Sequence, residues 1–589
     1  MMPFSYAINN QTDFTNALLA APATITLTGS FTLDTAVTIP VGKTVVGTNG
    51  ANFHNITTVG AGSITIPSTV TVTNLGINGV RHRTQVTTAN GPILNANATS
   101  TTYNNGVNFS YNTATNNHGG GVFRLQNGAS ATINGAATFV GNRATNTSGD
   151  GGVGTIQDST LIINGHSQAD SNTAARHGGA FWARGSGSIL TFNSTSNFTN
   201  NSAAGSNVGG AIRNDGTTYF EGLATFNGNS ASTGGGIQNS GGTATYNNGV
   251  TFSSNRTNTF TVTEGGGAIR NTATLNVNNA VATFTNNNAN GLGGAIYNAS
   301  SSAVLNINQG AEFTGNWSRN TGGAVHNVAG GTLNISNGST FTDNGKEGAT
   351  VRSTEGGAIY NLGIMNLSGA TTFTSNSASS AGGAISNVSG GTLTLSGVSA
   401  FNTNTAVANG GAINNLNSTL NLTGNTTFTG NSSSAGSGGA IFNDPGTVVI
   451  TGNGTFNNNT AALNGGAIAN VISSTLRITG DGSFTGNSSS TGSGGAITTE
   501  DNSHTVIGGY GTFTNNTASV NGGAVNVNNS SFNVLDGATF SGNTATSGNG
   551  GAIYLNNNAI ATLVANTQNV TFSGNTANGV NNGVGFGSN

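Results

Sequence analysis

Eight side chains able to handle protons or anions crowd into a short stretch: Arg143, Asp150, Asp158, His166, Asp170, Arg176, His177 and Arg184. Acid–base cleavage of a polysaccharide needs grouped carboxylates, often with an Arg or Lys beside them. Turnover of that kind would rest on Asp158, His166 or Asp170. The rest of the chain gives it little support. Seventeen Asp and Glu are spread over 589 residues, and few recur at the same place in the repeat described below. No nucleophile elbow, zinc-binding histidine pair or phosphate loop is present, and glycine is too frequent for a loose glycine motif to mean anything. The plainer reading of the cluster is a set of solvated loop residues. No catalytic residue, metal or cofactor is expected, and a carbohydrate-active enzyme is the minor alternative.

A second set of residues is defined by position. The phrase Gly-Gly-Ala-Ile-x-Asn recurs along the chain, and its x residue should face solvent because its neighbours face inward. Down the repeats that position reads Arg124, Thr155, Trp182, Arg213, Gln238, Arg270, Tyr297, His326 and Tyr360. It continues as Ser386, Asn414, Phe442, Ala469, Thr498, Asn526 and Tyr554. The first part is an aromatic and basic stripe, the second mostly small and polar. Trp and Tyr beside Arg suit stacking on sugars or anchoring a protein partner. Trp182, Arg213, Arg270, Tyr297, His326 and Tyr360 are therefore candidate binding residues, against the simpler alternative of cross-strand pairs that keep an exposed sheet soluble. Two segments, Arg256–Gly265 and Gly345–Glu355, are longer than the equivalent loops elsewhere. The second adds Lys346 and Arg352 to the candidates, since insertions on one face of a solenoid often mark its binding face.

The elements that must position these residues come from the repeat itself. Gly-Gly pairs at Gly410, Gly438, Gly465, Gly494, Gly522 and Gly550 give a period near 28. A Phe-x-x-Asn series, including Phe401, Phe428, Phe456, Phe484, Phe513 and Phe540, runs in phase with them. Between the two lie segments such as Thr332-Leu333-Asn334-Ile335, which alternate apolar and polar residues as half-buried strands do. No repeat holds an apolar spacing long enough for a helix. Three strands per repeat, separated by Gly, Asn and Ser, predict one coil of a parallel β-helix, each strand pairing with the coils above and below. Phe, the Ile of Gly-Gly-Ala-Ile and both apolar residues of Thr-Leu-x-Leu should fill the bore. The Asn after Gly-Gly-Ala-Ile-x should stack coil on coil, as asparagine ladders do, and take left-handed backbone geometry at a turn. The fold class expected is all-β, a single long solenoid.

Composition limits the partners. Only 5% of residues are charged and the net charge is −3, which argues against nucleic acid and anionic membranes. Cysteine is absent, so disulfides and thiolate metal sites are too. Residues 1–10 carry no Lys or Arg, so no conventional signal peptide is expected, and no apolar run approaches the length of a membrane helix. Thr12–Ala21 reads as a short amphipathic capping helix, with Thr12 or Asp13 as N-cap and Phe14, Ala17, Leu18 and Leu19 apolar. Residues 1–115 then form a cap and irregular opening coils, and residues 116–589 the repeat array.

Gly-Gly-Ala-Ile interleaved with Phe-x-x-Asn, from about residue 119 to 575, resembles the repeats of the chlamydial polymorphic outer-membrane proteins. The Thr24–Asn55 stretch is similar to the opening of pectin-lyase-like right-handed β-helices. The resemblance implies a right-handed β-helical passenger displayed on the cell surface, used for adhesion and often self-associating. The family's C-terminal autotransporter barrel and signal peptide are not legible in this chain. The function expected is that of an adhesin or structural rod at the cell surface or outside the cell. Its partner would be a glycan or protein of a host or neighbouring cell, or a further copy of itself joined laterally or end to end as a filament subunit.

Overall fold

The computed structural model describes residues 119–581 other than 206, 260–262 and 352. Before 119 it describes residues 8–20, 24–29, 107–114 and short strands from 31 to 104; after 581 it describes the strand Val584–Phe586. Contacts divide the chain into two units, Met1–Thr283 and Phe284–Asn589. Both are parallel β-solenoids, and together they make about 17 turns spaced by ~28 residues.

The first unit opens on the chain's one described helix, Gln11–Leu19. Its N-cap is Asn10, not Thr12 or Asp13: the Asn10 carboxamide oxygen accepts from the Asp13 backbone N–H at 2.9 Å. Phe14, Ala17 and Leu18 are buried, whereas Leu19 is exposed. The Phe14 ring packs 5.4 Å from Phe31 in the strand Phe31–Leu33. Covering the first strands in this way protects a sheet edge that would otherwise invite pairing.

Strands then stack in parallel register. Phe123–Gln126, Gly154–Gln157, Phe181–Arg184, Ile212–Asn214 and Ile237–Asn239 form successive rungs of one face. The bore is aromatic. Phe198, Phe226 and Phe252 stack at 4.7 Å, while Phe192, Phe220 and Tyr246 form a second stack edge-on to the first.

The second unit is more regular. Ile296, Val325, Ile359, Ile385, Ile413 and Ile441 pair rung to rung and are all fully buried. Phe313, Phe341, Phe373, Phe401, Phe428, Phe456, Phe484, Phe513 and Phe540 make one continuous stack with ring centroids 4.7–4.9 Å apart. That is the spacing of hydrogen-bonded strands, so backbone pairing and ring stacking set the same repeat. Each buried Phe contributes roughly 1.5–3 kcal/mol of transfer free energy.

Asparagine forms two buried ladders here rather than one. In the first, Asn298, Asn327, Asn361, Asn387, Asn415 and Asn443 each donate from Nδ2 to the Oδ1 of the next at 2.8–2.9 Å. In the second, the Asn of Phe-x-x-Asn does the same: Asn404 donates from its carboxamide to Asn431 Oδ1 and to the Phe373 carbonyl, both at 3.0 Å. The expected left-handed turn is not at the ladder asparagines after Gly-Gly-Ala-Ile-x, which lie in strands. It falls one residue before the Asn of Phe-x-x-Asn, at Gly430 (φ +63°), Asn458 (+53°) and Gly486 (+66°). The Gly-Gly pair has a steric cause. Gly438 sits at φ +69°, and a Cβ on Gly439 would stand 2.1 Å from the Gly466 carbonyl oxygen of the next coil.

Three short ribbons are antiparallel among the described pairings. One, Lys346–Glu347 with Thr350–Val351, forms the tip of the long Gly345–Glu355 loop.

Candidate functional site

The x residues of Gly-Gly-Ala-Ile-x-Asn do form ladders. In the first unit Arg124, Thr155, Trp182, Arg213, Gln238 and Arg270 are consecutive rungs. In the second, Tyr297, His326, Tyr360, Ser386, Asn414 and Phe442 follow one another in the same way. Their exposure differs from the expectation. Trp182 is only 5% exposed, Tyr297 8% and His326 5%; Arg213, Arg270 and Tyr360 are half-buried. Strand alternation sends these side chains away from the bore, but neighbours along and beside the ladder then cover them.

At Trp182 the cover is made of arginine. The guanidinium carbons of Arg176, Arg184 and Arg213 lie 5.5, 4.9 and 4.8 Å from the indole centroid, all within cation–π range. His177 meets the ring edge-on at 5.3 Å. The indole N–H donates to Asp215 at 2.7 Å, and the same carboxylate accepts from Arg213 Nε at 3.0 Å. Arg176 grips the fully buried Asp150 through two hydrogen bonds of 2.8 and 2.7 Å, the bidentate geometry that the planar guanidinium favours. Arg184 has neither an acidic partner nor a side-chain hydrogen bond among the described residues. Burial, with the charges of Arg213, Arg176 and Arg184, lowers the His177 pKa to about 3, so this imidazole is neutral near pH 7. Arg124 is pushed below its usual value by burial and by the charge of Arg184.

The two sequence features thus converge. Asp150, Arg176, His177 and Arg184 come from the charged cluster, Trp182 and Arg213 from the ladder. Asp215 was missed altogether. The signal was available, since Arg184 and Asp215 lie two residues beyond Trp182 and Arg213 and so share their face.

The residues on which catalysis would rest are not joined. No hydrogen bond or ion pair links Asp158, His166 and Asp170 among the described residues. The Asp158 carboxylate accepts from the Gly187 N–H at 3.3 Å, and Asp170 accepts from the Ser171 hydroxyl at 3.1 Å. Among the described residues no group of three His, Cys, Asp or Glu could hold a metal ion, and no helix is long and apolar enough to cross a membrane.

In the second unit the His326 ring stacks on Tyr360 at 5.0 Å and meets Tyr297 edge-on at 5.3 Å. Its Nδ1 lies 2.8 Å from the Thr321 hydroxyl. Burial lowers its pKa to about 3. Tyr360 is raised by burial and by Glu355, and Glu355 accepts from the Ser386 hydroxyl at 3.1 Å. Arg270, in the first unit, pairs with Glu264 at 3.4 Å. Lys346 lies 3.7 Å from Asp343 at the base of the antiparallel ribbon. Arg352 falls outside the described residues.

Five segments, residues 282–299, 370–388, 425–444, 453–471 and 537–556, match the model of the Chlamydia polymorphic membrane protein (Chlamydia_PMP) repeat. Each match runs from a Phe-x-x-Asn to the following Gly-Gly-Ala-Ile. This chain carries that repeat. Within the matched segments the recurring residues are the ladder formers of the solenoid: bore phenylalanine, buried asparagine and close-packed glycine. No curated protein matches the chain.

Proposed function

We propose that this chain is the displayed β-helix of a surface protein and acts as an adhesin rather than as an enzyme. The observation that carries the reading is the fivefold match to a polymorphic membrane protein repeat. The distribution of chemistry supports it. Recurring polar residues are used in coil-to-coil bonding, whereas non-recurring charged and aromatic ones gather at a few places on the outer face. A scaffold of stacked coils holds such side chains in fixed positions without a folded pocket. Export to the cell surface follows from the same reading.

Beads coated with the purified full chain, applied to cultured cell monolayers, test it. Saturable attachment that excess soluble chain abolishes is the expected result. Attachment no greater than that of beads coated with an unrelated β-solenoid would overturn the adhesin role.

A further inference from the structure

Three guanidinium groups, from Arg176, Arg184 and Arg213, gather at the Trp182 rung against two carboxylates, Asp150 and Asp215, with Arg124 two coils away on the same ladder. The whole chain has only 14 Lys and Arg, so this is a local excess in an otherwise weakly charged protein. Asp150 engages Arg176 and Asp215 engages Arg213. Asp158 lies against the adjoining Gly185–Gly187 turn but makes no ion pair with Arg184. The charge of Arg184 therefore acts on Arg124 and His177 instead of on an acid, and in both cases it opposes protonation.

We propose that Arg184 binds the anionic groups of an acidic polysaccharide. This rests on the adhesin reading and specifies its ligand. Like charges held near each other with one guanidinium lacking an acid are relieved by an incoming anion, and a planar guanidinium suits a carboxylate or sulfate. Trp182 positions the site instead of touching the ligand. At 5% exposure its ring is sheathed by three guanidiniums, so it can neither stack on a sugar nor anchor an apolar partner. What the surface offers is charge and hydrogen-bond donors. Gln126 and Gln157 stand in register beneath Arg184 on the same outward face, both half-buried. They extend the donors in a row with the coil spacing of about 4.8 Å, which suits a hydroxyl-rich chain. A nucleic acid would demand many more phosphate contacts than one such patch provides.

The test uses the full chain immobilised on a sensor, with heparin, fully desulfated heparin and hyaluronan as probes and double-stranded DNA as the competing polyanion. Heparin or hyaluronan should bind, and more weakly as salt rises. R184Q should weaken binding at least tenfold, R184K should give an intermediate loss, and R319Q in the other unit should change nothing. Circular dichroism checks that each variant is folded. Retained binding to desulfated heparin and hyaluronan assigns the site to uronate; loss on desulfation assigns it to sulfate. The proposal is overturned if no polysaccharide binds, if R184Q binds as wild type does, or if DNA binds as tightly as heparin. Attachment of chain-coated beads that survives R184Q would sink this site while leaving the adhesin reading intact; no attachment by wild type would sink that reading itself.

Discussion

Single side chains in this protein are judged by what the coil above and the coil below make of them. Tyr246 stacks 4.6 Å from Phe220 in the bore, but its hydroxyl is buried without a hydrogen-bond partner. An unsatisfied buried hydroxyl costs more than it returns, so Tyr246→Phe should raise the unfolding free energy by about 1 kcal/mol, read from denaturant midpoints. Trp182→Ser should act oppositely. It removes a buried indole and leaves three guanidiniums without their shared surface, so a loss of about 3 kcal/mol is expected; unchanged melting would contradict the burial described here. His326 supplies a pH dependence with a definite sign. Tyr297, Tyr360 and Thr321 surround it, with Glu355 beyond Tyr360, and its folded pKa of about 3 lies below the roughly 6.5 of an unfolded histidine. The unfolded chain therefore takes the proton first. Stability from this residue is complete above about pH 6.5 and falls as pH drops toward 3. At pH 4.5 the loss is at most about 3 kcal/mol. His326→Gln should flatten the difference in unfolding midpoint between pH 7 and pH 4.5; an unaltered difference would mean that other groups carry it.

At the scale of elements, the ladders were legible in the sequence and the cover over them was not. Phe428, Ile441 and Leu420 could be placed in the bore because period-2 alternation and a 28-residue repeat together fix both face and rung. The same alternation correctly sent Trp182 and His326 outward. It placed Arg184 on the face of Trp182, two residues along the same strand, but did not say how closely Arg176 from a corner, Arg213 from the next coil and, at His326, the tyrosines of neighbouring coils would cover that face. The second asparagine ladder was missed for a related reason. A residue three beyond each Phe looks like a turn, and only the coil-to-coil bonds of Asn404 and its equivalents reveal it as buried. The Lys346–Val351 ribbon is the opposite case, an element visible in the sequence only as an overlong loop. It is largely exposed, and its base is closed by the Ser353 N–H donating to the Gly345 carbonyl at 3.1 Å. The ion pair between Lys346 and Asp343 at its base is exposed enough to contribute little. Replacing residues 346–351 with Asn-Gly, which closes a two-residue hairpin, should change the unfolding free energy by less than about 1 kcal/mol. If bead attachment falls while the fold persists, this ribbon is a second contact surface; unaltered attachment marks it as a tolerated insertion.

For the molecule as a whole, the consequence of ladder construction is that stability within a unit is a sum over coils and the interfaces between neighbouring coils. In the second unit packing is completed by adjacent coils: Phe428 touches Phe401 and Phe456, and the bonds of Asn431 run to the coils on either side. This makes a deletion prediction sharp. Removing residues 428–455 excises one full period and brings Phe456 directly after Thr427, where Phe428 stood. Thr455 and Thr427 are already register partners, as are Phe456 and Phe428, so the shortened chain can restore every ladder by moving one coil. It should fold with an unchanged circular dichroism signature per residue and a melting temperature within a few degrees of wild type. Removing only residues 428–441 takes away half a period. The Gly-Gly and Phe-x-x-Asn phases then no longer meet, and inward and outward faces of following strands clash with those before them. That variant should melt far lower or fail to fold. If both deletions behave alike, the stability of this unit does not come from coil-by-coil register, and the ladders of phenylalanine and asparagine are not what holds it together.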